Sequence, residues 1–311
     1  MKKSPSDWKE SLAQVLKAHN RLQANGTIAS FSTQDKRADV LFAGFKELSA
    51  QGYKLDHVKS FRGKHFKVLT KHWEAQARAG QLSASTFQNR ISIFRVFANW
   101  IGKPGMIEST SRYVSPEFAS RSSINRQDKS WQAKGVEIAA KIAEVQHKDA
   151  RVALQLELQA CFGLRAREAL QLRPYLADQG SYLAITVGTK GGRERVVPID
   201  TSEKRLLIDR AKTFAASKAA STSDPKMTLA QAKNHYYYVL RSCGISRKQG
   251  ITGHGLRHNY ANDRYQQLSG NASPVRGGTL SNRNEDYVAR LSVAEELGHS
   301  RESITTHYLG R

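Results

Sequence analysis

The chain has 311 residues, of which 39% are hydrophobic and 8% aromatic, enough for real cores and about two domains, so a disordered chain is excluded. Its 49 Lys+Arg against 27 Asp+Glu leave a net charge of +22, which points to a polyanionic partner, with nucleic acid the first choice. No apolar run approaches the roughly 20 residues that cross a bilayer, the N-terminus has no signal-peptide core, and Cys161 and Cys243 form no Cys-x-x-Cys pair, which reads as reduced cytoplasmic thiols.

The first predicted helix covers 4–25, with Trp8, Leu12, Val15 and Leu22 on one side. The second covers 33–51, with Leu41, Phe45 and Leu48 at helical spacing and Gly52 placed to end it. In the third, 60–79, Phe66, Leu69, Trp73 and Ala77 make an apolar stripe. Lys64, Lys67, Lys71 and Arg78 share roughly the opposite face, with Glu74 off that face. Such a set is either a solvated face or, in a chain of this charge, a phosphate-facing stripe. The fourth helix spans 85–102, where Ser85 and Gln88 fit a capping box and Phe87, Ile91, Phe94, Ala98 and Ile101 face a core. Periodicity then disappears up to Ser130. The chain divides into a helical domain at 1–102, an extended basic linker at 103–130 and a second domain at 131–311.

The second domain opens with helical patterns at 132–147 and 150–172. Residues 182–187 alternate and are rich in β-branched side chains, 188–192 are turn chemistry, and 195–199 form a second strand. This is a β-hairpin with Lys190 at its tip. Helices follow at 202–219, at 228–243, from Leu256, and around 292–298 and 301–308. The fold class is therefore mainly α, with one small β-hairpin or sheet in the C-terminal domain.

Two tempting motifs fail. The turn from Gly188 to Arg193 lacks the residue order of a P-loop and joins two strands. His254 and His258 sit four apart, but Gly255, Leu256 and Arg257 lie between them, so the glutamate of a zinc protease helix is missing and an arginine would repel the cation. What remains is a dispersed set: Arg165 and Glu168 in Gly163-Leu-Arg-Ala-Arg-Glu, Lys190 on the hairpin, His254, Arg257 and His258 in His-Gly-Leu-Arg-His, His299 in Leu-Gly-His, and Tyr308 nine residues later.

In this order, these residues resemble the tyrosine recombinase (phage integrase) family, which shares its catalytic design with type IB topoisomerases. The resemblance covers about 160–311 closely and 30–130 more loosely. It implies a two-domain DNA clamp in which the first domain binds the core site and the second cuts DNA. Arg165 and Arg257 would hold the non-bridging oxygens of the scissile phosphate, as bidentate guanidinium forks can. Lys190 matches the general acid for the leaving 5′-oxygen. His254 matches a phosphate donor that can take the tyrosine proton, and His299 a second phosphate donor. Tyr308 matches the nucleophile that forms a 3′-phosphotyrosyl bond. Glu168 and His258 would support these groups without touching the phosphate. Because the covalent bond conserves the energy of the phosphodiester, the resemblance implies no cofactor, no metal and no ATP. The partners it implies are double-stranded DNA, four copies of the chain on two DNA sites, and accessory DNA-bending proteins. A nucleoid-associated protein of a bacterium or phage, serving integration or excision of a mobile element, is the expected setting. A type IB topoisomerase and a non-catalytic DNA-binding protein are the rival readings.

Two departures stand out. The 41 residues between Arg257 and His299 include a segment of loop composition at 269–287. Only Leu309, Gly310 and Arg311 follow Tyr308 in this sequence, which leaves no helix there to reach a neighbouring subunit. The insert, and after it the helix at 4–25, are the expected contacts between protomers.

Overall fold

The computed structural model describes residues 7–119, 124–279 and 282–311. The start of the expected first helix (4–6), part of the expected linker (120–123) and two residues of the insert (280–281) lie outside the described residues. The chain divides into two compact units, 1–122 and 123–311.

The first unit is helical. Its elements are α1 (Trp8–His19), α2 (Phe31–Ala50), α3 (Gly63–Arg78), α4 (Ala84–Trp100) and α5 (Pro116–Ala119). Asp7, Ser30 and Ser83 cap the first, second and fourth by accepting from backbone N–H groups two or three residues on. The apolar stripes meet in an aromatic core that includes Phe45, Phe61, Phe66, Trp73, Phe87, Phe94 and Phe97. The indole of Trp73 donates to Glu47 Oε2 at 2.6 Å, which satisfies the one polar atom of a fully buried ring.

Three expectations for this unit need correction. The first helix stops at His19, because the chain turns back to pair Leu22 with Ile28 in an isolated bridge. The cap of α4 is Ser83, not Ser85, and Gln88 donates to the Phe118 carbonyl at 2.6 Å instead of closing a capping box. The linker is much shorter than 103–130. Ile107 and Val114 are buried in the first core, and Tyr113 meets Phe66 edge-on at 4.9 Å. On the other side, Asn125 N–H donates to the Thr306 carbonyl at 2.9 Å, and Trp131 is fully buried in the second unit. Sparse apolar residues without a period still found cores to enter.

The second unit holds α6 (Ile138–Lys148), α7 (Ala150–Phe162), α8 (Ala166–Gln171), α9 (Pro174–Ala177), strands β1 (Tyr182–Ile185) and β2 (Arg195–Pro198), α10 (Ser202–Phe214), α11 (Leu229–Ser242), α12 (Gly253–Ser269), α13 (Arg283–Glu296) and α14 (Thr306–Leu309). The strands form a two-stranded antiparallel sheet, with Tyr182 opposite Pro198 and Ile185 opposite Arg195. Helix α7 is the central element. Leu154, Leu158 and Phe162 face a core shared with α12, α13 and the sheet, while Val152 and Leu156 face a second core shared with α6 and α11.

The expected helix 150–172 is two helices. Gly163 sits between them with φ +59°, and a Cβ there would lie 2.5 Å from the Tyr260 ring, so only glycine fits both the left-handed turn and the packing. Residues 283–287, expected as loop, begin α13, capped by Asn282. The rest of the insert that is described folds back on its own unit. Arg276 pairs with Asp128 at 2.9 Å and Asp263 at 2.5 Å. Ser273 is buried and donates to Asn262.

Candidate active site

Four segments of the second unit bring Arg165, Glu168, His254, Arg257, His258, His299 and Tyr308 together. Arg165 is the N-cap position of α8, where Gly163 has just broken the preceding helix. The Glu168 carboxylate, three residues on and fully buried, accepts from the Arg165 backbone N–H and from its Nη1, both at 2.7 Å. Arg165 Nη2 donates to the Leu297 carbonyl at 3.3 Å.

Helix α12 supplies His254, Arg257 and His258 from its first two turns. Arg257 is fully buried and donates to the carbonyls of Gly163 and Leu297. Its Nε donates to Tyr308 Oη at 3.2 Å. Burial lowers the pKa of Arg257 to about 10, partly offset by Tyr308, so it stays charged at neutral pH. His254 lies at the exposed rim, with its ring centroid 5.2 Å from His258 and 6.1 Å from the Tyr308 ring. Desolvation by the surrounding protein, then Arg257, Arg165 and Lys129, push its pKa down. His258 is buried, 4.9 Å from the Tyr308 ring, and burial together with His254 and Lys129 lowers its pKa to about 3.

Helix α13 ends at Glu296, and after Leu297 and Gly298 the His299 N–H donates back to the Ala294 carbonyl at 2.8 Å. This turn aims His299 at the site, 6.2 Å from the Tyr308 ring between centroids. Burial, then Arg257, Arg165, Lys190 and Arg195, lower its pKa to about 4, so at neutral pH it is an uncharged donor. Tyr308 is buried on α14. Arg290, on α13, donates to the Gly310 carbonyl at 3.0 Å, and Val275 of the insert packs against Gly310. Lys190 is exposed at the hairpin tip.

One residue of this site escaped the sequence reading. Arg195, the first residue of β2, donates to both Glu168 oxygens at 2.8 and 2.7 Å and, through Nε, to the Glu296 carbonyl at 2.7 Å. The signal was present: in a strand with Val196 outside and Val197 inside, Arg195 takes an inward position, and an inward charge demands a buried partner. Burial alone would raise the pKa of Glu168, but the hydrogen bonds and charge of Arg195, with Arg165, hold it at about 2. One carboxylate thus organises three guanidinium groups, Arg257 lying 4.0 Å away, and the surplus charge suits an anion.

A cleft of about 580 Å³ opens beside Arg165 and His254, lined also by Arg167, Tyr237, Arg241 and Arg247. Among the described residues no group of three or more His, Cys, Asp or Glu is arranged to hold a metal ion. None of their helices is long and apolar enough to cross a membrane.

The four cations of α3 lie in the first unit and are exposed. Among the described residues Lys64, Lys67 and Lys71 form no ion pair, but Arg78 does. It pairs with Glu74 at 3.0 Å and Glu117 at 3.1 Å, so the stripe is not free of acids as the sequence suggested. A four-residue step along the helix brings Glu74 within reach of a long arginine.

Comparison with known proteins agrees with this fold. The integrase family model matches residues 122–263, and the model for the phage integrase N-terminal domain matches 10–107. No curated protein matches the chain in sequence. A solved lambda integrase dimer bound to a COC′ core site is 14% identical, with a TM-score of 0.58 over 97% of this chain and 93% of that one. The Tn1549 transposon integrase in complex with transposon right end DNA gives 12% identity and a TM-score of 0.57 over 97% and 95%. The XerH site-specific recombinase in a post-cleavage complex gives 16% identity and a TM-score of 0.54 over 98% and 81%. The solved structures share the fold of the chain, and the two family models, which follow one another along most of the sequence, show that it belongs to the phage integrase, or tyrosine recombinase, family.

Proposed function

We propose that the protein is a site-specific DNA recombinase that cuts and rejoins DNA through Tyr308. The contact that carries this reading is the one between Arg257 Nε and Tyr308 Oη. A phosphate held by Arg165 and Arg257 would stand next to that hydroxyl. Attack of Oη on phosphorus forms a 3′-phosphotyrosyl bond and breaks the bond to the 5′-oxygen, which takes a proton from Lys190. The tyrosine proton passes to neutral His254 at the rim. Attack by the 5′-hydroxyl of another strand reverses the step, so no external energy source enters. Guanidinium forks and neutral His299 offset the charge that builds on the non-bridging oxygens. Lys190 suits the acid role because it is exposed on a turn and close enough to His299 to depress its pKa.

Duplex DNA is the substrate favoured by the net charge and by relatives solved on core-site, transposon-end and difH DNA. Recombination requires two such sites held by four copies of the chain, with bending proteins as accessories. The phage integrase match and the transposon integrase likeness favour a mobile element as the setting.

The test is a covalent adduct. DNA from the borders of the element that encodes the chain, nicked next to the repeated core, is incubated with protein and denatured. The expected result is a protein–DNA band whose phosphate maps to Tyr308, absent from Tyr308→Phe, which still binds the DNA. An adduct of undiminished yield with Tyr308→Phe would sink the assignment.

A further inference from the structure

The hairpin that carries Lys190 needs an anchor. An isolated pair of strands is marginal in water, and this one has only four residues on each side. Its tip is a turn with two glycines at positive φ, Gly191 and Gly192, and among the described residues Lys190 makes no hydrogen bond or ion pair. Nothing at the tip itself directs the ammonium group.

The two ends of the tip are fixed instead. On entry, Gly188 lies so close to α8 that a Cβ there would sit 2.8 Å from the Arg167 carbonyl. On exit stands Arg195, buried to 7% exposure, whose three guanidinium nitrogens each donate to one of two different elements: both oxygens of Glu168 on α8 and the Glu296 carbonyl at the end of α13. Those are the segments that carry Arg165 and His299. Six residues, 189–194, bridge the two fixed points.

We propose that Arg195 is a positioning residue that registers the Lys190 hairpin on the segments holding Arg165 and His299. The proposal rests on the reading of Lys190 as the general acid. A planar fork with an additional Nε–H can satisfy a carboxylate and a carbonyl at once in a fixed geometry. An ammonium group cannot, so lysine in its place keeps the charge and loses the register. The carboxylate is held twice, by Arg165 as well as by Arg195. Loss of Arg195 therefore leaves Arg165 tied to Glu168 and releases the hairpin first.

The experiment separates a displaced acid from a general loss of fold. Cleavage rates are measured at saturating DNA on two substrates: ordinary DNA, and DNA with sulfur replacing the 5′-bridging oxygen at the cleavage position mapped with the unmodified protein. A thiolate leaves without protonation, so a missing or misplaced acid no longer matters. Lys190→Ala should lose about 10²-fold on ordinary DNA, and Arg195→Lys at least about 10-fold. Both should come within about 3-fold of the unmodified protein on the sulfur substrate, with DNA affinity unchanged. Hydrogen exchange should speed up at 182–198 in Arg195→Lys and not in α12. If Arg195→Lys folds poorly, Arg195→Gln combined with Glu168→Gln removes both charges of that buried pair and is compared with Glu168→Gln alone. A defect in Arg195→Lys that persists on sulfur while Lys190→Ala is rescued overturns the proposal, as does normal cleavage of ordinary DNA. Failure of Lys190→Ala to be rescued overturns the general-acid reading itself, and the proposal with it.

Discussion

Arg257 Nε donates to Tyr308 Oη at 3.2 Å, although 51 positions separate the two residues. The same guanidinium donates to Gly163 and Leu297 carbonyls, so it is held by the turn that precedes Arg165 and by the turn that precedes His299. A group tied to three segments at once moves little when a phosphate arrives, and preorganised donors of this kind lower the cost of reaching a charged transition state.

Arg165→Ala and Arg257→Ala should each slow cleavage by at least about 10²-fold on a saturating DNA site, the usual effect of removing one preorganised donor. Affinity for the site should change far less. Arg257→Ala should also lower the melting temperature more than Arg165→Ala, because Arg257 is fully buried and the Arg165 side chain is 21% exposed. Adduct formation in single-turnover conditions checks the first statement, and thermal unfolding the second. Near-normal cleavage by both variants would remove these arginines from the phosphate.

Stability should depend on pH through Glu168. Its pKa is about 2 in the folded chain against an ordinary 4.5, so its contribution is complete above 4.5 and is lost as pH falls toward 2. A shift of that size corresponds to about 3 kcal/mol. His258 and His299 act at higher pH. Held near 3 and 4 against an ordinary 6.5, they stay neutral in the fold while the unfolded chain takes up protons, so stability begins to fall below 6.5. Melting temperatures from pH 8 to pH 2.5 should therefore begin to fall below 6.5, where the histidines titrate in the unfolded chain, and go on falling below 4.5, where Glu168 adds its share. Glu168→Gln should start lower at pH 7, keep the histidine part of the fall and lose the Glu168 part below 4.5. A parallel curve for the variant would contradict the assignment.

Lys64, Lys67 and Lys71 are expected to contact phosphates. Changing each to Gln should weaken binding to all DNA sequences alike and reduce the slope of log affinity against log salt by about 0.9. Arg78→Gln should do less, because Arg78 is engaged with Glu74 and Glu117. Salt titrations of the four variants decide this, and unchanged slopes for all three lysines would make α3 an ordinary solvated face.

In this structure the insert packs beside the tyrosine segment of its own chain. Arg276 ties it to Asp128, and Val275 touches Gly310 two residues beyond Tyr308. Arg276→Ala should slow single-site cleavage by about 3- to 10-fold, the effect of a loosened nucleophile, with DNA binding retained. Unchanged single-site cleavage combined with lost pairing of two sites would instead make the segment a contact between protomers.

The sequence by itself determined the helices with strong apolar stripes, the hairpin, the two-domain division and the identity of the residues that meet around Tyr308. Periodicity is local, and a stripe such as Phe87, Ile91 and Phe94 buries itself in any helical context. The order of dispersed motifs supplied the family. Tertiary structure alone decided where the linker begins, because Ile107 and Val114 have no period and are buried only once a core exists to receive them. It also decided the cap of α4, the break at Gly163, the partners of Arg78 and the role of Arg195. The strand position of Arg195 demands a buried partner but does not name it: Arg195 and Glu168 lie 27 positions apart, and the cost of isolating either charge from water forces them together only after the chain has closed around them.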